Sequence, residues 1–323
     1  MTDLLALAAA VQAAHARIAP FVVCTPTVAM PWLGAAIGNE VRGKLENVQD
    51  TGSFKLRGAS NALLCLPEPV RRRGVVAASS GNHGLGVATA AARLGVPVTV
   101  FVPTTTPAAK QDAVRQHSAE VIVFGDDCVH TEARARQHAA SRGQHYLSPY
   151  NDADVVAGQG TVAVELLAQW PAVETIYVAL GGGGLVSGIA AYAKRHRPGI
   201  EIVACSPAAS PAMAECVRRG AVVDVACGAT LSDSTAGGVE PGAITLPWCA
   251  ALVDRFVDVE EPAIAAAMLA TLTQQHLLIE GAAGVAVAGC LADARGRGRR
   301  AAVIVCGGNL PLATLRSLLA SVP

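Results

Sequence analysis

A single lysine in the stretch TGSFKLRGA, residues 51–59, has neighbours that suggest chemistry. Lys55 follows Phe54, lies among small residues and stands at the predicted start of a helix. Lysine forms Schiff bases with aldehydes when desolvation or a neighbouring charge lowers the pKa of its amine. A lysine on a helix is most often a surface residue, but Phe54 and the flanking glycines weaken that interpretation. We therefore treat Lys55 as a candidate Schiff-base lysine.

Four successive glycines, residues 181–184, follow a predicted strand and open a predicted helix. Glycine lets backbone N–H groups turn inward without a Cβ clash, and a helix N-terminus carries partial positive charge. A phosphate group suits such a turn, although a tight turn without a ligand is the alternative. No Gly-Lys-Ser/Thr follows, so this is not a Walker loop. A dinucleotide site would require an acid at the end of the next strand. That strand ends at Cys205 and Ser206, and NAD is therefore disfavoured.

The turn SSGNHG, residues 79–84, also follows a predicted strand and precedes a predicted helix. Asn82 can donate and accept hydrogen bonds, and Ser80 can exchange a proton. His83 could act as a base, but a histidine inside a turn is more often structural. This turn should face the same crevice as the glycine turn.

The motif CGGN, residues 306–309, ends the last predicted strand. Cys306 would place a thiol at the carboxyl edge of the sheet, and a plain Gly-Gly loop is an equally good interpretation. Cys306, Lys55, the SSGNHG turn and the four-glycine turn would together suit an aldehyde cofactor that carries a phosphate.

The elements that must position these residues alternate along the chain. Near-continuous apolar strands between helical patterns predict parallel sheets covered on both faces. Ligands in such sheets lie at the carboxyl ends of the strands, where the turns stand. We expect a small domain at residues 74–152 and a large domain formed by residues 1–73 and 153–323. The predicted strands cover residues 74–79, 97–103, 120–125, 175–180, 201–206 and 301–307.

The composition argues against several classes of protein. The chain has 323 residues, a formal net charge of zero and 52% hydrophobic residues, which is not typical of a nucleic-acid-binding or membrane-surface protein. No apolar run reaches the ~18 residues of a membrane span, and residues 1–18 are predicted to form an amphipathic helix rather than a signal peptide. Nine scattered cysteines without a CxxC pair favour a reduced, cytoplasmic protein. We expect no nucleic-acid or membrane partner.

Six motifs carry a family resemblance. In order along the chain they are KLENVQDTGSFKLRGA, SSGNHG, AGQGTVAVE, GGGGL, LLIEGAAGVAVA and CGGN. Through these motifs the chain resembles the threonine/serine dehydratase family over nearly its whole length. These are pyridoxal-phosphate enzymes of the tryptophan-synthase β type, and they include serine racemases. The resemblance implies two doubly wound parallel-sheet α/β domains with pyridoxal 5′-phosphate in the cleft between them (fold type II). It also implies a short form without the C-terminal regulatory domain, and we expect a homodimer.

The resemblance gives a role to each residue that matches a family motif. Lys55 would carry the cofactor, and Ser80 would act as acid or base on the opposite face, as in racemases. The substrate carboxylate would lie at the turn formed by Ser79, Ser80, Gly81, Asn82 and His83. The cofactor would be held by Phe54 against the ring, Asn82 at the ring 3′-oxygen, Cys306 beside the pyridine nitrogen, and the phosphate-binding Gly181, Gly182, Gly183, Gly184 and Leu185. Glu280 would lie near the cofactor edge without a definite role.

The implied reaction is an α,β-elimination. The freed amine of Lys55 would remove the Cα proton of the substrate, and the β-hydroxyl group would leave after protonation. The products would be a 2-oxo acid and ammonia, so we expect an ammonia-lyase (dehydratase) for a substrate of the L-threonine or L-serine type. The alternatives are a serine or aspartate racemase, or a lyase for a bulkier substrate such as phenylserine or hydroxyaspartate. A non-catalytic or nucleotide-sensing protein is disfavoured by Lys55 and Asn82.

Several positions depart from the family pattern. Many racemase-like members carry two carboxylates where this chain has Ser206 and Ala212, so we expect no divalent-metal site, and Asp233 is expected in a different loop. Glu240 is unusual, and it either faces the substrate side chain or is a solvated loop residue. Tyr150 stands where relatives often have a smaller polar residue, which predicts a reshaped substrate pocket.

Overall fold

The computed structural model describes residues 2–126 and 128–320. Met1, Asp127 and residues 321–323, which the predicted domain ranges include, lie outside the described residues. The strands are β1 Thr27–Ala29, β2 Val41–Leu45, β3 Val75–Ala78, β4 Val98–Val102, β5 Glu120–Val123, β6 His145–Tyr146, β7 Thr175–Ala179, β8 Glu201–Pro207, β9 Arg255–Val259 and β10 Ala301–Val305. The helices are α1 Thr2–Ile18, α2 Pro31–Ile37, α3 Lys55–Cys65, α4 Glu68–Arg73, α5 Asn82–Leu94, α6 Ala108–Arg115, α7 Cys128–Arg142, α8 Ala153–Gln169, α9 Gly184–His196, α10 Ala212–Arg219, α11 Thr245–Leu252, α12 Glu261–Gln275, α13 Gly281–Ala292 and α14 Leu312–Ala320.

The strands form two sheets. The larger sheet has the order β1-β2-β10-β7-β8-β9, and the smaller sheet has the order β5-β4-β3-β6. Among these strands every neighbouring pair is parallel except β1 with β2. The prediction of parallel sheets in an α/β fold is therefore confirmed. The smaller sheet lies inside the predicted small domain of residues 74–152, although the boundaries of that domain stay a prediction.

The six strands predicted from the sequence are all present, with ends that differ by a residue or two. Four further strands, β1, β2, β6 and β9, were not predicted. Two of them are very short, with three residues in β1 and two in β6. The sequence pattern therefore revealed the interior strands β3, β4, β7, β8 and β10 and the edge strand β5, but it missed the interior strand β2.

Helix α1 packs one face against the larger core. Leu7, Val11, Ala14 and Ile18 recur at helical spacing and are buried, which agrees with the predicted amphipathic helix. Contrary to the expectation from the sequence, Leu4–Phe21 is long and apolar enough to cross a membrane by length and composition. A core helix of a soluble protein passes the same test, so length and composition alone do not show that this helix crosses a membrane.

A buried ion-pair network fixes helix α3, which begins at Lys55. The guanidinium of Arg57 is fully buried and donates to the carboxylates of Glu46, at 2.7 Å, and Glu165, at 2.6 Å. The amine of Lys44 donates to the same Glu165 at 2.6 Å. Removing one partner of such a pair leaves an uncompensated charge and costs roughly 3–5 kcal/mol. The network therefore fixes the start of α3, and with it Lys55, against β2 and α8.

Two glycines let the helices around Lys55 approach closely. A Cβ at Gly58 would lie 2.8 Å from the carbonyl oxygen of Val155 in α8. A Cβ at Gly86 in α5 would lie 3.1 Å from the backbone carbonyl carbon of Lys55. Because glycine has no Cβ, α3 packs directly against both neighbours. This packing brings the N-terminal ends of α3 and α5 together.

Candidate active site

The candidate site residues meet where several elements begin or end. Helix α3 begins at Lys55, α5 at Asn82 and α9 at Gly184, while Cys306 directly follows β10. These ends surround a cavity of about 190 Å³ that is also lined by Phe54. Parallel sheets present their strand ends and helix N-termini at one edge, and this is where such folds bind ligands.

The Lys55 amine lies inside this cavity. Its Nζ donates a hydrogen bond to the carbonyl oxygen of Pro149 at 3.1 Å and lies 5.1 Å from the centre of the Phe54 ring. Burial lowers the pKa of the amine to about 8, although the nearby Cys306 and Glu280 act in the opposite direction. The ordinary pKa of lysine is near 10.4. Lys55 therefore has the lowered pKa that the predicted Schiff-base lysine needs.

The glycine turn adopts a shape that other residues would not allow. Gly183 has a φ of +85° and caps helix α9, and a Cβ at Gly182 would lie 2.3 Å from the Tyr150 ring. The carbonyl oxygen of Gly182 accepts a hydrogen bond from Thr245 Oγ1 at 2.7 Å. Gly181, Gly182, Gly183, Gly184 and Leu185 all line the cavity. The free N–H groups at the start of α9 suit a phosphate.

Of the SSGNHG turn, Asn82 lines the cavity, whereas Ser79, Ser80, Gly81 and His83 are not among its lining residues. The backbone N–H of Gly81 donates to Ser79 Oγ at 3.2 Å. The substrate-binding role of this turn and the acid-base role of Ser80 stay predictions.

His83 has the environment of a structural histidine. Its ring Nε2 lies 2.9 Å from the carbonyl oxygen of Leu147. Because that oxygen can only accept, Nε2 carries the proton. Burial, and secondly the charge of Lys55, lower the pKa of His83 to about 3. The ring is therefore neutral at physiological pH and holds α5 against the chain after β6.

Asn82 is held by two residues that sequence reasoning did not connect with it. Its amide nitrogen donates to both carboxylate oxygens of Glu280 at 2.9 Å, and its amide oxygen accepts from Asn309 Nδ2 at 2.7 Å. Ser234 Oγ and the backbone N–H of Asn309 also donate to Glu280, each at 3.3 Å. Asn309 ends the CGGN motif, which was the available signal for it. A ring oxygen bound by Asn82 would compete with the Glu280 carboxylate for the same amide nitrogen.

Cys306 and Glu280 are buried neighbours of Lys55. Desolvation, and secondly the charge of Glu280, raise the pKa of the Cys306 thiol well above its ordinary value. Desolvation likewise raises the pKa of the Glu280 carboxyl. The thiol is therefore neutral, which suits contact with an unprotonated pyridine nitrogen.

The residues of the cavity match the parts of pyridoxal phosphate. The α9 N-terminus and its glycines suit the phosphate, the Lys55 amine suits the aldehyde carbon, and the Phe54 ring suits the face of the pyridine. The family model described as pyridoxal-phosphate dependent enzyme matches residues 18–307. The chain belongs to this family.

Known members of the family confirm the fold and the cofactor predicted from the sequence. The chain is 38% identical to the L-threonine ammonia-lyase of Geobacter sulfurreducens, over 94% of this chain and 76% of that protein. The processed form of threonine deaminase isoform 2 from Solanum lycopersicum superposes with a TM-score of 0.94 at 28% identity, over 99% of this chain and 93% of that one. Maize serine racemase superposes with a TM-score of 0.90 at 32% identity, over 96% of both chains.

The two positions at which the sequence analysis expected the carboxylates of a divalent-metal site to be missing are buried and carry no charge. Ser206 lies in β8 and Ala212 begins α10. Asp233 lies 3.9 Å from the amine of Lys110. Within residues 2–126 and 128–320, no group of three or more His, Cys, Asp or Glu residues could hold a metal ion. That the enzyme needs no divalent metal stays a prediction.

Glu240 adopts neither of the two arrangements expected for it. Its carboxylate forms an ion pair with Arg136 and accepts a hydrogen bond from Ser148 Oγ at 3.3 Å. Its backbone N–H donates to Tyr150 Oη at 2.9 Å. Glu240 is not among the residues that line the cavity, whereas Tyr150 is. In this member of the family, the glutamate therefore contacts the residue that shapes the cavity wall.

Proposed function

We propose that the protein is a pyridoxal-phosphate-dependent ammonia-lyase that converts a small L-β-hydroxy amino acid, of the threonine or serine type, to a 2-oxo acid and ammonia. The observation that carries this proposal is the Lys55 amine, with a pKa lowered to about 8, inside the cavity that the α9 N-terminus closes. The ammonia-lyase relatives confirm the dehydratase predicted from the sequence.

The cavity residues divide the work of binding. Gly181, Gly182, Gly183, Gly184 and Leu185 would hold the phosphate, Phe54 would pack against the ring, and Asn82 would bind the ring oxygen. When bound, the cofactor supplies an electron-withdrawing system that stabilises negative charge at the substrate Cα. The residues of the protein would provide the remainder of the chemistry.

Lys55 would be the base of the reaction. With substrate bound in the cavity, its amine would take the proton from the substrate Cα. A base is most effective when its pKa lies near the working pH, and the environment of Lys55 lowers its pKa toward that range. The neutral thiol of Cys306 would place no negative charge beside the pyridine nitrogen of a bound cofactor, which would favour rapid elimination of the β-hydroxyl group.

The substrate carboxylate is expected at the turn formed by residues 79–83. The turn precedes helix α5, whose N-terminus carries partial positive charge, and Ser79 and Ser80 are only partly buried. Asn82, the residue of the turn that lines the cavity, would place this turn beside the cofactor ring.

A racemase is the second candidate. Maize serine racemase has nearly the same fold, and Ser80 stands where racemases have an acid or base on the face opposite the lysine. The third alternative is a lyase for a bulkier substrate such as phenylserine or hydroxyaspartate, which the Tyr150 ring in the cavity wall disfavours.

The test is an assay of the purified holoenzyme with L- and D-enantiomers of β-hydroxy amino acids, scored for 2-oxo acid and ammonia. We expect both products from L-threonine or L-serine. A change of substrate configuration without release of ammonia would instead support the racemase.

We also propose that the enzyme is a cytoplasmic homodimer without nucleic-acid or membrane partners. The described cysteines are all free thiols, which agrees with a reducing compartment, and the net charge is zero. Light scattering should give twice the chain mass of 32.8 kDa, and cell fractionation should recover the protein with the soluble cytoplasmic enzymes. A monomer mass or recovery with membranes would contradict this proposal.

A further inference from the structure

Arg136 connects the two sheets of the enzyme outside the cavity. It lies on α7, which packs against β3, β4 and β6 of the smaller sheet. Its guanidinium pairs with Glu240, which belongs to the chain between α10 and α11 beside the larger sheet. The same guanidinium donates to Glu132 one turn earlier at 2.7 Å and stacks 4.2 Å above the Tyr146 ring.

Glu240 is held through both its side chain and its backbone. The side chain is 19% exposed, and its carboxylate accepts from Arg136 and from Ser148 Oγ. The backbone N–H donates to Tyr150 Oη at 2.9 Å. These three partners all come from residues 136–150. Glu240 therefore links the chain between α10 and α11 to helix α7 and to the residues that follow β6.

The segment around Glu240, residues 232–245, forms a strap over the cavity. Residues 234–238 of the strap line the cavity. Further along, the N–H of Ile244 donates to Asn151 Oδ1 at 2.9 Å, and Thr245 Oγ1 donates to the Gly182 carbonyl at 2.7 Å. Glu240 lies between the cavity-lining part of the strap and this second attachment.

Tyr150 forms the wall that the strap holds in place. Its ring lies so close to Gly182 that a Cβ there would come within 2.3 Å. Burial raises the pKa of the Tyr150 phenol to about 12, so the phenol stays protonated and accepts the Glu240 N–H as a neutral group. The ring is therefore held between the glycine turn and the strap.

We propose that Arg136 is a positioning residue for the substrate pocket, and that its ion pair with Glu240 holds the strap and Tyr150 in the position that selects small β-substituents. This inference rests on the proposed ammonia-lyase function. Arg136 does not line the cavity, so it acts through Glu240 and Tyr150 rather than on the substrate.

The physical reason is the partly buried carboxylate. Without its guanidinium partner, the Glu240 charge is better solvated in water than beside Ser148 and Tyr150. The strap then moves outward and the Tyr150 oxygen loses the N–H that positions it. A small substrate loses its contacts with the wall, while a bulkier substrate gains space.

Kinetics of Arg136→Gln and Glu240→Gln test this directly, with L-serine and L-threo-phenylserine as substrates. In each variant the ratio of kcat/KM for L-serine to that for phenylserine should fall by about tenfold, mainly through KM for L-serine, because misplaced positioning groups have effects of this size or larger. Arg136→Lys should retain part of the selectivity. The charge exchange Arg136→Glu with Glu240→Arg should restore more selectivity than either of its single substitutions.

Glu132→Gln is the matched control, because it removes the other carboxylate partner of the same guanidinium and leaves the Glu240 pair intact. Its selectivity ratio should stay within about twofold of the parent, as expected for a partly exposed helical ion pair. The visible absorption of bound cofactor should be the same in all variants, because none of these residues lines the cavity.

Hydrogen–deuterium exchange on the holoenzyme gives a readout that does not depend on turnover. Peptides from residues 232–245 should exchange faster in Arg136→Gln and Glu240→Gln than in the parent or Glu132→Gln. Unchanged exchange, or equal loss of kcat/KM for both substrates, would overturn the positioning role. If the parent released no ammonia from any amino acid, the proposed function would fail, and the exchange data would still decide whether Arg136 holds the strap.

Discussion

The amide nitrogen of Asn82 donates to both carboxylate oxygens of Glu280, at 2.9 Å each. The two residues are 198 positions apart, and this contact joins the first residue of α5 to the residue that precedes α13. Glu280 is 4% exposed, and desolvation raises its pKa despite the hydrogen bonds. The carboxylate therefore occupies the donor that the cofactor ring oxygen would use.

Glu280→Gln should change how the stability of the apoprotein depends on pH. Since the folded pKa of Glu280 is raised above its ordinary value of 4.5, the folded state holds its proton longer than the unfolded state. This contribution to stability is full below pH 4.5 and is lost as pH rises through the folded pKa, with a slope of at most about 1.4 kcal/mol per pH unit. Urea unfolding of parent and variant as a function of pH measures it. A stability difference that does not vary from pH 4.5 upward would contradict the raised pKa.

The rate of cofactor binding by the apoenzyme should rise with pH and level off above a midpoint near 8. Only the unprotonated amine attacks an aldehyde, and burial lowers the pKa of Lys55 to about 8. Stopped-flow absorption after mixing apoenzyme with pyridoxal phosphate gives this profile. A midpoint close to the ordinary lysine value would show that the amine is solvated before the cofactor binds.

Ser80→Ala should separate racemisation from elimination. Elimination needs proton removal on the Lys55 face, whereas racemisation also needs a proton delivered from the opposite face. Any racemase activity should fall by about 10²-fold or more, while 2-oxo acid formation from the L-substrate falls much less. Equal losses of the two activities would mean that Ser80 serves carboxylate binding alone.

Chelation should leave the enzyme active. Ser206 and Ala212 offer one hydroxyl and one methyl group, and divalent ions need hard oxygen ligands with carboxylate charge. EDTA should change neither activity nor thermal stability, and magnesium should activate less than about twofold, under about 0.5 kcal/mol of linked free energy. Inactivation by EDTA that magnesium reverses would reveal a metal site formed by other residues.

The sequence predicted the elements whose pattern is local. Central parallel strands such as β4 and β10 are buried on both faces and appear in the sequence as near-continuous apolar runs. Strand β2, with the sequence VRGKL, lacks that pattern because Lys44 is buried through its ion pair with Glu165. Strand β9 is largely half-exposed and carries charges. Only the tertiary fold places such strands in a sheet.

The same distinction holds for the site. Lys55, Asn82 and the glycine turn lie within motifs whose spacing is visible in the sequence. The contacts of Asn82 with Glu280 and of Arg136 with Glu240 join residues 198 and 104 positions apart. Such pairs depend on how the two sheets face each other, and a single sequence carries no signal of that geometry.

The central claim is that Lys55 carries the cofactor, and borohydride reduction of the holoenzyme tests it most directly. Reduction fixes the cofactor on the amine that binds it, and peptide mass spectrometry should locate the added phosphopyridoxyl mass on Lys55. In Lys55→Ala the visible absorption of bound cofactor should disappear and turnover should fall by about 10²–10⁴-fold. Lys194→Ala, a surface lysine paired with Asp254, should retain both. Label on another lysine, or a Lys55→Ala variant with normal turnover, would contradict the account.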